Sequence, residues 1–148
     1  KGADLTEDQK YYLASLYDKA EMYEDALNLM LTVVEKNPNN PHALNFVGYL
    51  MLENGGELDV AFDYINQAIK LKPDDAYIRD SLGWYYYKRG NFKKALVELE
   101  KAWKQEKNDV VITKHLAMVY QQLENDEQAQ KYFAEALKNC ELPSHGRT

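Results

Sequence analysis

Ala95-Leu96-Val97-Glu98-Leu99-Glu100-Lys101-Ala102 sets a small residue at each end of two helical turns, with an apolar Leu99 between them. The phrase comes round four times. Its first Ala stands at Ala26, Ala61, Ala95 and Ala129, at gaps of 35, 34 and 34 residues. Seven residues further on stand Val33, Ala68, Ala102 and Ala136. A return at this interval marks a stack of small helical units, each burying its apolar face against its neighbours. Such stacks offer extended binding surfaces and seldom carry out chemistry.

With the recurring Ala as a ruler, one domain over 1–148 divides into units 7–40, 41–75, 76–109 and 110–143, followed by a tail at 144–148. Each unit is expected to hold two antiparallel helices, A and B. Thr6-Glu7-Asp8-Gln9 has the spacing of a capping box. Asn37-Pro38-Asn39-Asn40-Pro41 stops one helix and starts the next, with Asn40 as cap and Pro41 at the first helical position. Lys72-Pro73-Asp74-Asp75 and Asn108-Asp109 open the third and fourth units. Asn54-Gly55-Gly56, Arg89-Gly90-Asn91 and Glu124-Asn125-Asp126 mark turns between A and B. The second unit carries one extra residue at this turn, which a surface loop tolerates at little cost.

Gly48 and Gly83 fall inside helices, where each costs about 1 kcal/mol relative to Ala. A neighbouring helix that needs the space explains them. Ala14 and Ala117 hold the same place in the first and fourth units.

Bulk properties agree with an all-α protein. The chain has 148 residues, 4 Pro and 7 Gly, and little strand-like alternation. Its length is enough to bury roughly 68–70 % of the unfolded surface. The net charge of −6 and the lack of a basic cluster argue against nucleic acid as a partner. No apolar run reaches the ~18–20 residues of a membrane span. The lone Cys140 excludes an internal disulfide and a cysteine-based zinc site. The start, Lys1-Gly2-Ala3-Asp4, reads as that of a cut or processed piece.

The units resemble the tetratricopeptide repeat family, whose pattern is W-x2-L-G-x2-Y, then A-x3-F, a second A and a Pro. The third unit supplies Leu82-Gly83-x2-Tyr86, Ala95-x3-Leu99 and Ala102. The second supplies Val47-Gly48-x2-Met51, Ala61-x3-Ile65, Ala68 and Pro73. The first supplies Leu13-Ala14-x2-Tyr17, Ala26-x3-Met30, Val33 and Pro38. The fourth supplies Leu116-Ala117-x2-Tyr120, Ala129-x3-Phe133 and Ala136. The Trp position holds Lys10, Leu44, Arg79 and Thr113. The closing Pro is missing from the third unit and displaced to Pro143 in the fourth.

The resemblance implies a right-handed α-solenoid, a superhelix of four antiparallel helix pairs, with helix A of each pair lining a concave groove. Carried over position by position, it points Tyr11, Asn45, Tyr49, Tyr77, Asp80, Trp84, Tyr87, Lys88, Lys114, Met118 and Gln121 into that groove. Tyr11, Tyr49, Tyr77, Trp84 and Tyr87 are expected to form an aromatic stripe with Met118 beyond it, a composition favoured at protein interfaces. Asn45, Lys114 and Gln121 are candidates to hydrogen-bond a ligand backbone, and Asp80 and Lys88 to set its charge preference. Chaperone-binding members of the family grip a terminal carboxylate with Lys, Asn and Arg. The corresponding positions hold Tyr11, Ser15, Phe46, Tyr77 and Ser81, which cannot supply a charge-assisted grip. Shifting by one unit brings no better set.

The expected function is therefore a scaffold that binds a peptide or partner protein, with no cofactor, no metal and no enzymatic role. The alternative is self-association through terminal helices, in particular through Tyr132–Cys140, where one of the adjacent Tyr132 and Phe133 is expected to look outward. His42, His115 and His145 are far apart in sequence, and His115 reads as a partly buried packing residue. No phosphate loop, zinc helix or activated nucleophile is present. The resemblance in style to bacterial proteins of this kind leaves cytoplasm and cell envelope both open.

Overall fold

The computed structural model describes residues 4–140. The end of the fourth unit at 143, the tail 144–148 with His145, and Lys1-Gly2-Ala3 lie outside the described residues. Among the described residues the chain is all-α. It forms α1 (Glu7–Lys19), α2 (Tyr23–Lys36), α3 (Pro41–Glu53), α4 (Leu58–Leu71), α5 (Ala76–Lys88), α6 (Phe92–Gln105), α7 (Val110–Gln122) and α8 (Asp126–Asn139), in sequential antiparallel pairs.

Side-chain caps start all four A helices. Thr6 Oγ1 accepts from the Gln9 backbone N–H at 3.1 Å, while Gln9 Oε1 accepts from the Thr6 N–H at 3.0 Å. Asn40 accepts from the N–H groups of His42 and Ala43, Asp75 from those of Tyr77 and Ile78, and Asp109 from that of Ile112. Each cap satisfies backbone donors that the first helical turn leaves without partners, and stabilises by about 1 kcal/mol.

The A–B turns share one backbone demand. Gly90 adopts φ +81° and Gly55 φ +77°. In the first and fourth pairs a left-handed residue is also needed, but Glu21 and Glu124 supply it, each at φ +60°. A side-chain-bearing residue pays about 1–2 kcal/mol in this region, which Gly does not.

The packing divides into two compact units, one made of α1 to α4 and one of α5 to α8. In the first, Ala14, Ala26, Met30, Val33, Ala43, Val47 and Leu50 form a buried cluster that joins α1, α2 and α3. In the second, Ala95 and Leu99 of α6 join Leu116, Ala117, Val119 and Tyr120 of α7 and Ala129 and Tyr132 of α8. A smaller group joins Ala76, Ala102 and Ile112.

The mid-helix glycines have the steric reason expected of them. A Cβ built on Gly48 would lie 2.6 Å from Ile65 Cγ1 and 3.0 Å from the carbonyl oxygen of Ala61. One built on Gly83 would lie 2.6 Å from Leu99 Cγ and 3.4 Å from the carbonyl oxygen of Ala95. The Ala61-x3-Ile65 phrase of α4 and the Ala95-x3-Leu99 phrase of α6 thus occupy the space that α3 and α5 leave open.

Candidate functional site

In the first unit α1 and α3 carry Tyr11, Asn45 and Tyr49, all half-buried. The ring of Tyr11 meets that of Phe46 edge-on at 5.2 Å. Asn45 departs from expectation. Its Oδ1 is shielded from solvent and has no hydrogen-bond partner among the described residues, so the acceptor assigned to a ligand backbone does not look outward. At the far ends of the two helices, burial and then the nearby Glu53 raise the Asp18 carboxyl above its ordinary range.

The second unit holds the larger set. Asp80 is wholly buried and His115 is 2 % exposed. His115 Nδ1 and Asp80 Oδ1 lie 2.9 Å apart. An ionised carboxylate can only accept, so with Asp80 in that form Nδ1 carries the hydrogen. The imidazole stacks on the indole of Trp84 with centroids 3.9 Å apart and planes 13° apart. Tyr87, one turn along α5, stacks on the same indole at 4.5 Å and 9°, and touches Phe92 edge-on at 5.4 Å. The Lys88 ammonium lies 5.2 Å from the Trp84 ring centroid, within cation–π range.

Two expectations are corrected here. Asp80 does not set the charge of a groove, because it is sealed beneath the surface and directed at His115. Trp84, expected in the exposed aromatic stripe, is only 5 % exposed. Its size and the flat imidazole beside it let it fold down onto α7. His115 is buried, as its reading as a packing residue implied, and has a polar partner which that reading missed. Lys88, Lys114 and Gln121 are exposed, whereas Tyr77, Tyr87 and Met118 are half-buried.

The missed link follows a rule that repeats within the molecule. Within each compact unit the fifth residue of the first helix A meets the sixth residue of the second. Tyr11 meets Phe46 in the first unit and Asp80 meets His115 in the second. Reading successive A helices against each other at these positions reveals the pair; reading each helix by its own inner row does not.

Elsewhere the second unit is tied by polar contacts between helices. Arg79 of α5 pairs with Glu98 of α6 and donates to the Pro73 carbonyl. The Tyr120 hydroxyl donates to Glu100 Oε2 at 2.8 Å. Burial first, and then the Glu100 carboxylate, push the Tyr120 phenol up to about 12. Among the described residues no cluster of side chains could hold a metal ion, and no helix is long and apolar enough to cross a membrane.

Comparison with known proteins places this geometry in context. Residues 6–141 match the family model described as tetratricopeptide repeat. A repeat-containing protein of Pseudomonas aeruginosa, PA4667, is 36 % identical over 78 residues, covering 53 % of this chain and 12 % of that protein. Another from Methanocaldococcus jannaschii, MJ1428, is 29 % identical over 127 residues, covering 84 % of this chain and 22 % of that protein. The chain therefore spans under a quarter of the length of these relatives. The crystal structure of TTC0263 from Thermus thermophilus superposes with a TM-score of 0.76 at 23 % identity, over 88 % of this chain and 72 % of that one, a likeness of fold.

Proposed function

We propose, from the premise that this chain belongs to the tetratricopeptide repeat family, that it is an interaction module which docks a peptide or a segment of a partner protein along its A helices. Domains of this family are generally protein–protein interaction scaffolds and typically not enzymes. The finer reading concerns where the ligand lies and what it is.

One observation carries that reading. Asp80, His115 and Trp84 form a buried, mutually fixed floor, and Tyr87 and Lys88 stack or lean on its indole. Lys114 neighbours His115 in the chain and is exposed, with Met118 and Gln121 following at one-turn spacing on α7. A floor locked before binding lowers the ordering cost of association. Two exposed lysines beside an aromatic ring and a methionine suit an extended segment that places an apolar side chain next to a carboxylate. Trp84 then acts as support for the contact rather than as the contact itself.

The test is selection of peptides from a displayed library on the intact chain, followed by calorimetry on a selected peptide. Tyr87→Ala is expected to raise its Kd about tenfold, as loss of a moderate hot spot does. Lys114→Glu is expected to weaken peptides that carry a carboxylate and to spare neutral ones. Selected peptides held with the same affinity by wild type and both variants would remove this face from the site.

A further inference from the structure

The corners that join helix A to helix B include three acidic instances and one basic exception. Glu21, Glu24 and Asp25 stand at the first corner, Glu53, Glu57 and Asp59 at the second, and Glu124, Asp126 and Glu127 at the fourth. The third corner reverses the charge. Lys88, Arg89, Lys93 and Lys94 stand there, and no Asp or Glu occurs from Ser81 to Val97. Counted from the recurring Ala, Lys93 takes the place of Glu24, Asp59 and Glu127 in the first turn of helix B. A carboxylate there is favoured by the positive end of the helix dipole, and an ammonium is not. Places where a sequence forgoes a local stabilising rule are commonly functional ones.

A cavity of about 450 Å³ opens beside this corner, lined by Arg89, Gly90, Asn91, Phe92, Lys93 and Leu123. Its apolar lining is Phe92 of α6 and Leu123 at the end of α7, both packed against the buried cluster around Leu99 and Leu116. Tyr87 meets the Phe92 ring edge-on at 5.4 Å and helps to fix it. The Asn91 side chain is engaged in capping α6, accepting from the Lys94 N–H at 3.3 Å. The Arg89 guanidinium lies 5.8 Å from the Tyr85 ring centroid, a cation–π contact that orders the side chain. No carboxylate stands among the six lining residues. Glu124 follows Leu123 in the chain, and Glu98, the first acid along α6, pairs with Arg79.

We infer that this cavity is a second recognition site, and that its occupant is an acidic segment of a partner protein with one apolar side chain between carboxylates. The apolar side chain lies between Phe92 and Leu123. The flanking carboxylates pair with Arg89 and Lys93, and the neighbouring Lys94 strengthens the field. Complementarity of charge selects this occupant. A basic segment is repelled by the cations, and a neutral apolar one strips water from Arg89 and Lys93 without replacing it. A small inorganic anion leaves the space between Phe92 and Leu123 unfilled. The bound carboxylate stands where Glu24, Asp59 and Glu127 stand in the other three pairs, so the partner returns to α6 the charge that its own sequence withholds. The site uses none of Lys88, Lys114, Met118 and Gln121, and it stands or falls separately from the groove reading.

The test is fluorescence anisotropy on the full chain with labelled, end-blocked peptides: Asp-Glu-Leu-Glu-Asp and its forms with a central Phe or Trp. At least one is expected to bind wild type. Replacing its acids with Asn and Gln, or its central residue with Ser, is expected to weaken binding about tenfold or more. Lys93→Glu and Arg89→Glu alter exposed positions and are each expected to raise Kd about tenfold or more. Lys101→Glu makes the same change at an exposed position of α6 outside the cavity and is expected to leave Kd within about twofold. Lys93→Glu restores the charge of the other three pairs, so it is expected to melt no lower than wild type, which separates lost binding from lost fold. Wild type that binds none of the three peptides up to millimolar concentration overturns the inference. So does binding that survives both cavity variants, which puts the peptide elsewhere, and so does an equal loss in Lys101→Glu, which reports diffuse attraction to lysines. None of these results bears on the groove reading, which Tyr87→Ala and Lys114→Glu decide.

Discussion

His115 Nδ1 lies 2.9 Å from Asp80 Oδ1, and neither side chain is more than 2 % exposed. The bond joins α5 to α7 directly, past the intervening α6. Burying both groups is tolerable because each satisfies the other.

Removing one partner deletes a buried bond of the other. Asp80→Ala is expected to lower the unfolding free energy by about 2–4 kcal/mol, the range for losing a buried polar contact to a charged or ring partner. Asp80→Leu with His115→Leu is expected to cost less than the sum of the two single changes, by about 1 kcal/mol or more. Urea unfolding of the four proteins in this cycle measures the coupling, and additive losses would show that the pair is not a unit.

Gly83 faces Leu99 Cγ across a gap too short for a methyl group. Gly83→Ala gains helix propensity but must displace Leu99, with an expected net loss of about 1 kcal/mol. Adding Leu99→Ala opens the space, so Gly83→Ala is expected to become neutral or stabilising in that background. Chemical denaturation of both pairs checks the sign reversal.

Glu124 holds the left-handed turn between α7 and α8 that Gly90 holds between α5 and α6. Glu124→Gly is expected to stabilise by about 0.5–1 kcal/mol, once the backbone freedom of glycine is offset against the strain it relieves. Ala134→Gly, at an exposed position inside α8, serves as the opposite control and is expected to destabilise by about 1 kcal/mol. Differential scanning calorimetry would register the two shifts in opposite directions.

The Tyr120 phenol is pushed up to about 12 from its ordinary 10, chiefly by burial and then by Glu100. The folded chain therefore holds this proton more tightly than the unfolded chain. The associated stability is fully present below pH 10 and is lost as pH rises through about 12. Tyr120→Phe is expected to flatten part of that alkaline decline, while losing the hydrogen bond to Glu100 at neutral pH. Denaturant midpoints from pH 9 to 12 decide it: equal slopes for both proteins would contradict the assignment.

Much of the fold was legible because its signals are local. Thr6, Asn40, Asp75 and Asp109 announce helix starts through their own side chains, and Gly48 and Gly83 announce close approach through the absence of one. The candidate site was harder to read. Asp80 and Trp84 occupy positions that an inner-row rule sends toward a ligand. Their depth depends on His115, a residue 35 positions away on a different helix. No periodicity within α5 encodes that contact. Phe133 and Tyr132 show the opposite case. Adjacent helical residues must diverge, so one had to turn outward, and the stacking of Tyr132 on Tyr120 at 5.7 Å decides which.

Both tryptophans of the chain, Trp84 and Trp103, lie in the unit formed by α5 to α8. Indole emission is consequently blind to the melting of α1 to α4, whereas the far-ultraviolet helical signal records both halves. Coincident transitions by the two spectroscopies would mean that the array melts as one cooperative body. An ellipticity loss that precedes the emission change would expose an intermediate in which only the tryptophan-bearing half survives.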